Sequence, residues 1–245
     1  MDLIIKGKVN RMRGEIEVPG DKSISHRSII LGSIAEGKSI ISGILMSEDV
    51  KRTIDAFTDM GVNIRNDERE TYIEGVGIRG LRKPSEKINC GNSGTTMRLL
   101  SGILVGQEFS ATLIGDESLT NRPMDRIIIP LRKMGASIKG RENSYAPLEI
   151  KPKANKLKGI NYKLPVASAQ VKSAILLATL YAEGETRVIE GKITRDHTER
   201  MLNYFGCPVV NENKQIIIGP SPSLIGKDIY IPGDISSAAY FMVAA

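Results

Sequence analysis

Tryptophan is absent from these 245 residues, aromatic side chains make up only 4%, and there are two histidines and two cysteines. Each scarcity excludes something. Few aromatics leave little material for stacking nucleic-acid bases. Cys90 and Cys207 stand far apart with no C-x-x-C partner, which argues against a disulfide framework and reads as two buried free thiols in a reducing cytoplasm. His26 and His197 are not spaced with other ligands, so no metal cluster and no cofactor are expected. No apolar run approaches the ~18 residues of a membrane helix, and no signal peptide is legible. With 41% hydrophobic and 25% charged residues, the chain reads as globular, with one or two domains. Its net charge of +6 favours an anionic partner without naming one.

An internal repeat organises the chain. The series strand, small-residue turn, helix, glycine, strand, capped helix, glycine, two strands occurs three times, over about 19–80, 81–157 and 158–226. The first copy reads as a strand at 14–18 and a helix from Lys22 capped by Asp21 or Ser23. A strand at 39–42, a second helix from Ser47 to Met60 and strands near 62–64 and 71–73 follow. The second copy opens at 87–89, carries Gly91-Asn92-Ser93-Gly94 into a helix, and places Pro123 in the first turn of a helix ending at Met134. The third opens at 162–165, turns at Ser168-Ala169-Gln170, and has Asp196 with Glu199 as a capping box. Gly61, Gly135 and Gly206 close the second helices, 74 and 71 residues apart. That period is too long for a solenoid. The expected fold class is α/β, three βαβαββ repeats packed around a shared core. A fourth opening, a strand at 228–231 with Pro232-Gly233-Asp234, echoes the first, and the chain is expected to be a fragment ending early in a second domain. Lys151–Lys158 reads as a solvated connection and Gly219–Gly226 as a hinge.

Each leading helix starts with small or hydroxyl residues: Lys22-Ser23, Ser93-Gly94, Ser168-Ala169. Helix starts carry unpaired N–H groups and partial positive charge, so three of them aimed at one place form an anion trap. On one stretch alone an ordinary solvated first turn is an equally plain account. Among the other polar residues, His26 reads as a first-turn residue, His197 as a helix start, Arg98 as half of a structural ion pair and Asp234 as a cap. Lys172 reads as either a substrate contact or a solvated face, and Thr95 as either a turn hydroxyl or a ligand.

Residues 20–27 (Gly-Asp-Lys-Ser-Ile-Ser-His-Arg), 91–98 (Gly-Asn-Ser-Gly-Thr-Thr-Met-Arg), Asn121-Arg122-Pro123-Met124, 168–173 (Ser-Ala-Gln-Val-Lys-Ser) and 195–199 (Arg-Asp-His-Thr-Glu) resemble the 5-enolpyruvylshikimate-3-phosphate synthase family, in the family's order. The resemblance spans the whole chain as the N-terminal portion, and the lysine motif and absent loop cysteine differ from the related cell-wall enolpyruvyl transferases. It implies an inside-out α/β barrel domain at 19–230, with 1–18 and 231–245 belonging to a second domain. It implies transfer of the enolpyruvyl group of phosphoenolpyruvate to the 5-hydroxyl of shikimate 3-phosphate, by addition and then elimination of phosphate. Lys22, Ser23, Arg27, Ser168, Ala169, Gln170 and Arg195 match shikimate 3-phosphate contacts. Lys22, Asn92, Gly94, Arg122 and Gln170 match phosphoenolpyruvate contacts, and Lys22 is the catalytic candidate. The family's main acid–base carboxylates lie in the other half, so this chain alone is expected to be inactive. The full-length form is expected to be monomeric and cytoplasmic, with no nucleic acid, membrane or cofactor as partner. Leu99 stands where many relatives carry proline, which bears on sensitivity to glyphosate, although Gly94 keeps space for a phosphonate.

One rival of a different class is an RNA-binding module, since βαβαββ units also occur there and the charge is basic. Its tyrosines 162, 181 and 204 share no motif, and steep salt-dependent RNA binding would mark it. Residues before Val18 would belong with the second domain, leaving Leu3, Ile4 and Ile5 without their cover.

Overall fold

In the computed structural model, residues 14–67, 69–152, 155–220 and 223–244 are described. Expectations for Leu3, Ile4 and Ile5 lie outside them. Three sheets of four strands share one design. In the first, β1 (Glu36–Ser42) lies antiparallel to β3 (Glu70–Val76), which pairs with β2 (Asn63–Asn66). In the second, β4 (Ile88–Asn89) runs parallel to β5 (Ala111–Ile114), which lies antiparallel to β7 (Tyr145–Lys151), beside β6 (Ser137–Arg141). In the third, β9 (Asn161–Lys163) runs parallel to β11 (Thr186–Ile189), followed by β13 (Gln215–Ile218) and β12 (Val209–Glu212), both antiparallel. A short parallel pair, β8 (Leu157–Lys158) with β10 (Ala182–Glu183), joins the second and third repeats. The sheets stay separate and none closes on itself among the described residues.

The interior is helical. The leading helices α1 (Lys22–Ile34), α3 (Gly94–Leu104) and α6 (Ala169–Thr179) are buried nearly all round, including every residue of α6 from Val171 onward. Their sequences explain it, because Ile, Leu, Ala, Ser and Gly occupy all faces rather than one stripe. Such helices pack closely: a Cβ on Gly102 of α3 would sit 2.4 Å from the carbonyl oxygen of Ala174 on α6. The second helices, α2 (Glu48–Asp59), α5 (Asp125–Lys133) and α7 (His197–Tyr204), are amphipathic and flank this centre. Gly61, Gly135 and Gly206 follow them at φ of 91°, 97° and 95°, so all three second helices end in the same left-handed turn.

Several local expectations need correction. Residues 14–18 form no strand. The parallel partner of β1 is β14 (Ile229–Tyr230), so the chain's last strand occupies the leading position of the first repeat. Alternation at 14–18 marks an extended segment, and a strand also needs a partner edge, which β14 already fills. Gly20 makes only an isolated bridge to Gly233. Pro123 precedes α5 and an extra turn, α4 (Glu117–Thr120), lies before it, since Met124 takes the cap position. The segment 219–226 is pinned where described: Leu224 is buried and its carbonyl accepts from Glu36 N–H at 2.7 Å, while Ile225 N–H donates to Phe205 at 2.9 Å. Of its glycines, Gly226 packs close to β1, where a Cβ would lie 2.3 Å from the Lys38 carbonyl oxygen, whereas Gly219 has open space around it. The connection 151–158 opens on β7 and closes on β8. The last helix, α8 (Ile235–Ala244), begins at Asp234, whose carboxylate accepts from Ser236 N–H at 2.9 Å, and so caps as expected.

Candidate functional site

The starts of α1, α3 and α6 meet, and polar side chains stitch each pair. Between the first and second repeats, His26 Nδ1 lies 2.8 Å from Thr53 Oγ1, and Thr53 lies 2.8 Å from Thr96 Oγ1, which reaches Ser93 Oγ at 2.7 Å. Between the first and third, Arg27 Nε–H donates to Thr198 Oγ1 at 2.6 Å and its Nη2 to Ser173 Oγ at 2.7 Å. Between the second and third, Arg98 Nη1 donates to Gln170 Oε1 at 2.8 Å, and Gln170 Nε2 donates to Thr95 Oγ1 at 2.8 Å. Asp21, Ser93 and Ser168 cap the three helices by accepting from Ile24, Thr96 and Val171 N–H. The remaining first-turn N–H groups point the same way as the dipoles.

Cations ring these starts. Lys22 is half-exposed and its Nζ lies 2.6 Å from Asp49 Oδ2. An exposed pair of this kind is worth about 1 kcal/mol or less, so an incoming anion can take the ammonium from Asp49 cheaply. Arg122 donates to Asn92 Oδ1 through Nη2, and Asn92 Nδ2 donates to Asp116 Oδ2 at 2.8 Å. Hydrogen bonds from Leu119 N–H and then Asn92 hold the Asp116 carboxyl below its usual range, so it stays a charged anchor for this row. Arg195 reaches Ser23 Oγ at 3.4 Å.

Gly94 shows what the arrangement leaves open. A Cβ there would lie 2.7 Å from Arg98 Nη1 and 3.6 Å from Arg122 Nη1. The missing side chain thus opens a space bordered by two guanidinium groups and a helix start. Burial, and then Arg122 and Arg126, press the Arg98 guanidinium below its usual pKa. Crowded cations of this kind are relieved by an anion between them. A cavity of about 370 Å³, lined by Glu48, Asp49, Arg52, Gly91, Asn92 and Asp116, opens beside the same rim.

The ten residues singled out from the sequence therefore gather around the starts of α1, α3 and α6, with Arg27 and Gly94 buried and the others at least partly exposed. Arg27 is the deepest. It is buried, three of its N–H groups are spent on Ser23, Ser173 and Thr198, and burial lowers its pKa to about 10. Four expectations change. Arg98 has no carboxylate partner among the described residues and borders the Gly94 opening. The i, i+4 spacing of Gly94 and Arg98 on one helix face was the signal for it. Asp196 and Glu199 form no capping box: the Asp196 carboxylate accepts from Arg200 at 2.7 Å, and Glu199 faces inward to Lys172. Lys172 is fully buried, contacting neither solvent nor the open rim. His197 starts α7 as expected, whereas His26 is fully enclosed between α1 and α2. Tyr162 and Tyr181 are buried, which removes two of the three rings the RNA-binding rival would use. Cys90 and Cys207 are both buried. Among the described residues no helix is long and apolar enough to cross a membrane, and no cluster of His, Cys, Asp or Glu could hold a metal.

The family model described as EPSP synthase (3-phosphoshikimate 1-carboxyvinyltransferase) matches residues 6–245. The chain belongs to the EPSP synthase family. A 3-phosphoshikimate 1-carboxyvinyltransferase of Geobacter metallireducens is 54% identical over 235 residues, covering 96% of this chain and 54% of the relative. One of Hydrogenovibrio crunogenus is 55% identical over 240 residues with the same coverage. The solved EPSP synthase from Acinetobacter baumannii superposes with a TM-score of 0.90 at 53% identity, over 95% of this chain and 53% of that one. The chain thus spans about half the length of the EPSP synthases it matches.

Proposed function

We propose that this chain supplies one half of a 3-phosphoshikimate 1-carboxyvinyltransferase site, holding shikimate 3-phosphate and phosphoenolpyruvate side by side. Arg195, Ser23, Arg27, Ser168, Ala169 and Gln170 form the shikimate 3-phosphate side. Asn92, Gly94, Arg98 and Arg122 form the phosphoenolpyruvate side. Lys22 lies between them and serves both. The observation that carries this reading is the Gly94 opening between Arg98 and Arg122, joined through Gln170 to the third repeat. Two polyanions repel each other, and forked guanidinium groups with free N–H donors offset that repulsion.

In the proposed reaction the 5-hydroxyl of shikimate 3-phosphate adds to C2 of phosphoenolpyruvate while C3 takes a proton. Loss of phosphate and a proton from the tetrahedral intermediate then restores the double bond. Lys22 stabilises charge on the leaving phosphate, and the second half of the family-length protein supplies further acid–base groups and closes over the ligands. The exposed apolar face of α8, with Ile235, Tyr240, Met242 and Val243, is the surface we assign to that second half. Calorimetry with shikimate 3-phosphate tests the reading. Binding by the wild-type chain that weakens about tenfold or more in Lys22→Ala is expected, as loss of a charged hydrogen-bond donor implies. Equal binding by the two sinks it.

A further inference from the structure

Lys172 lies two residues beyond Gln170 on α6, with its side chain fully enclosed. Its Nζ is 3.1 Å from Glu190 Oε1 and 2.6 Å from Glu199 Oε1. Both carboxylates are buried as well, and burial raises the Glu199 pKa against the pull of Lys172. Buried charges are costly and are tolerated where partners hold them in fixed geometry. This group is also tied directly to the rim. Glu190 accepts from Thr194 N–H at 3.2 Å and from the Thr194 hydroxyl, which closes the turn that presents Arg195. Glu199 adjoins Thr198, whose hydroxyl receives Arg27 Nε–H. Ser173, the neighbour of Lys172, receives Arg27 Nη2. One ammonium therefore braces both supports of the Arg27–Arg195 side.

We propose that Lys172 is a positioning residue: it never touches ligand, and it sets Arg195 through Glu190 and Thr194, and Arg27 through Glu199, Thr198 and Ser173. The inference rests on the reading of that side as the shikimate 3-phosphate pocket. Its mechanical content, two arginines held by one buried lysine, stands apart from the ligand's identity.

The test combines calorimetry with NMR of the arginine Nε–H groups. In Lys172→Met the Arg27 and Arg195 signals are expected to move while Arg122, in the second repeat, stays in place as an internal control. Affinity for shikimate 3-phosphate should fall about tenfold or more, because displaced guanidinium groups lose their charged hydrogen bonds to it. Lys172→Arg should restore most of it. If Lys172→Met does not fold, Glu199→Gln carries the test, because it keeps the Lys172–Glu190 pair and the shape of the site. It is then expected to move Arg27 and leave Arg195 unmoved. Unmoved Arg27 and Arg195 signals in a folded Lys172→Met protein, or an unmoved Arg27 in Glu199→Gln, overturn the inference. Absence of shikimate 3-phosphate binding by the wild type overturns the ligand assignment alone, and the arginine signals still decide the role of Lys172.

Discussion

At the scale of single residues, Gly94 carries the sharpest consequence. Gly94→Ala places a methyl 2.7 Å from Arg98 Nη1, the far end of a flexible side chain. The fold should absorb it with a change within about 0.5 kcal/mol, whereas the opening narrows. Phosphoenolpyruvate affinity is therefore expected to fall about tenfold with melting temperature nearly unchanged, and a parallel loss of both would count against a ligand role for the opening. His26 makes a different prediction. Burial lowers its pKa from the ordinary 6.5 to about 3, so the folded protein keeps it neutral where the unfolded chain takes up a proton. Stability linked to His26 is thus fully present above pH 6.5 and is lost as pH falls toward 3. By pH 5 the loss is about 2 kcal/mol. His26→Asn, which keeps a partner for Thr53, should flatten the decline in melting temperature between pH 7 and pH 5. An unchanged slope would show that His26 is not the group responsible. Lys22 and Gly94 stand at helix starts that the sequence pattern itself marks, whereas Arg122 and Gln170 were singled out by the family resemblance. The role of Lys172 was not legible, because a lysine on a helix gives no sign of burial until its partners, 18 and 27 residues onward, are folded against it.

Among the secondary-structure elements, local chemistry and pairing had different legibility. The cap Asp21, one of the two candidates the sequence offers for α1, and the closing glycines were readable because they are decided within a turn or two. Strand membership at 14–18 was not, since the edge of β1 is taken by residues 229–230, nearly two hundred positions away. The Asp196–Glu199 pair satisfied the spacing of a capping box and still failed, because buried Lys172 outbid the backbone for the Glu199 carboxylate. The closing glycines also supply a test of repeat equivalence. A Cβ on Gly135 or Gly206 meets nothing within 4 Å, so only the left-handed backbone opposes alanine. Gly135→Ala and Gly206→Ala should each cost about 1–2 kcal/mol, and nearly the same amount, in denaturant unfolding. A large difference would mean that the two turns do different work despite their matching φ values.

On the scale of the whole molecule, three repeats lean on one another through buried helices at one end and polar seams at the other. The seams are where the first-turn N–H groups of α1, α3 and α6 converge, so the proposed pair of ligands would together touch every repeat. Binding to the folded state alone stabilises it by about 2.7 kcal/mol at a hundredfold excess over Kd. That stabilisation should be shared rather than local. Hydrogen exchange with shikimate 3-phosphate is expected to slow together at residues 22–24 and 169–171, the starts of α1 and α6. Addition of phosphoenolpyruvate should then extend the protection to 94–96 at the start of α3. The order matters, because Gln170 and Arg98 couple the third repeat to the second, and Arg98→Met should leave the first protection intact while weakening its extension to α3. Protection confined to one helix start, or appearing at all three with Arg98 replaced, would show that the seams do not transmit binding and that the repeats share a core without sharing a site.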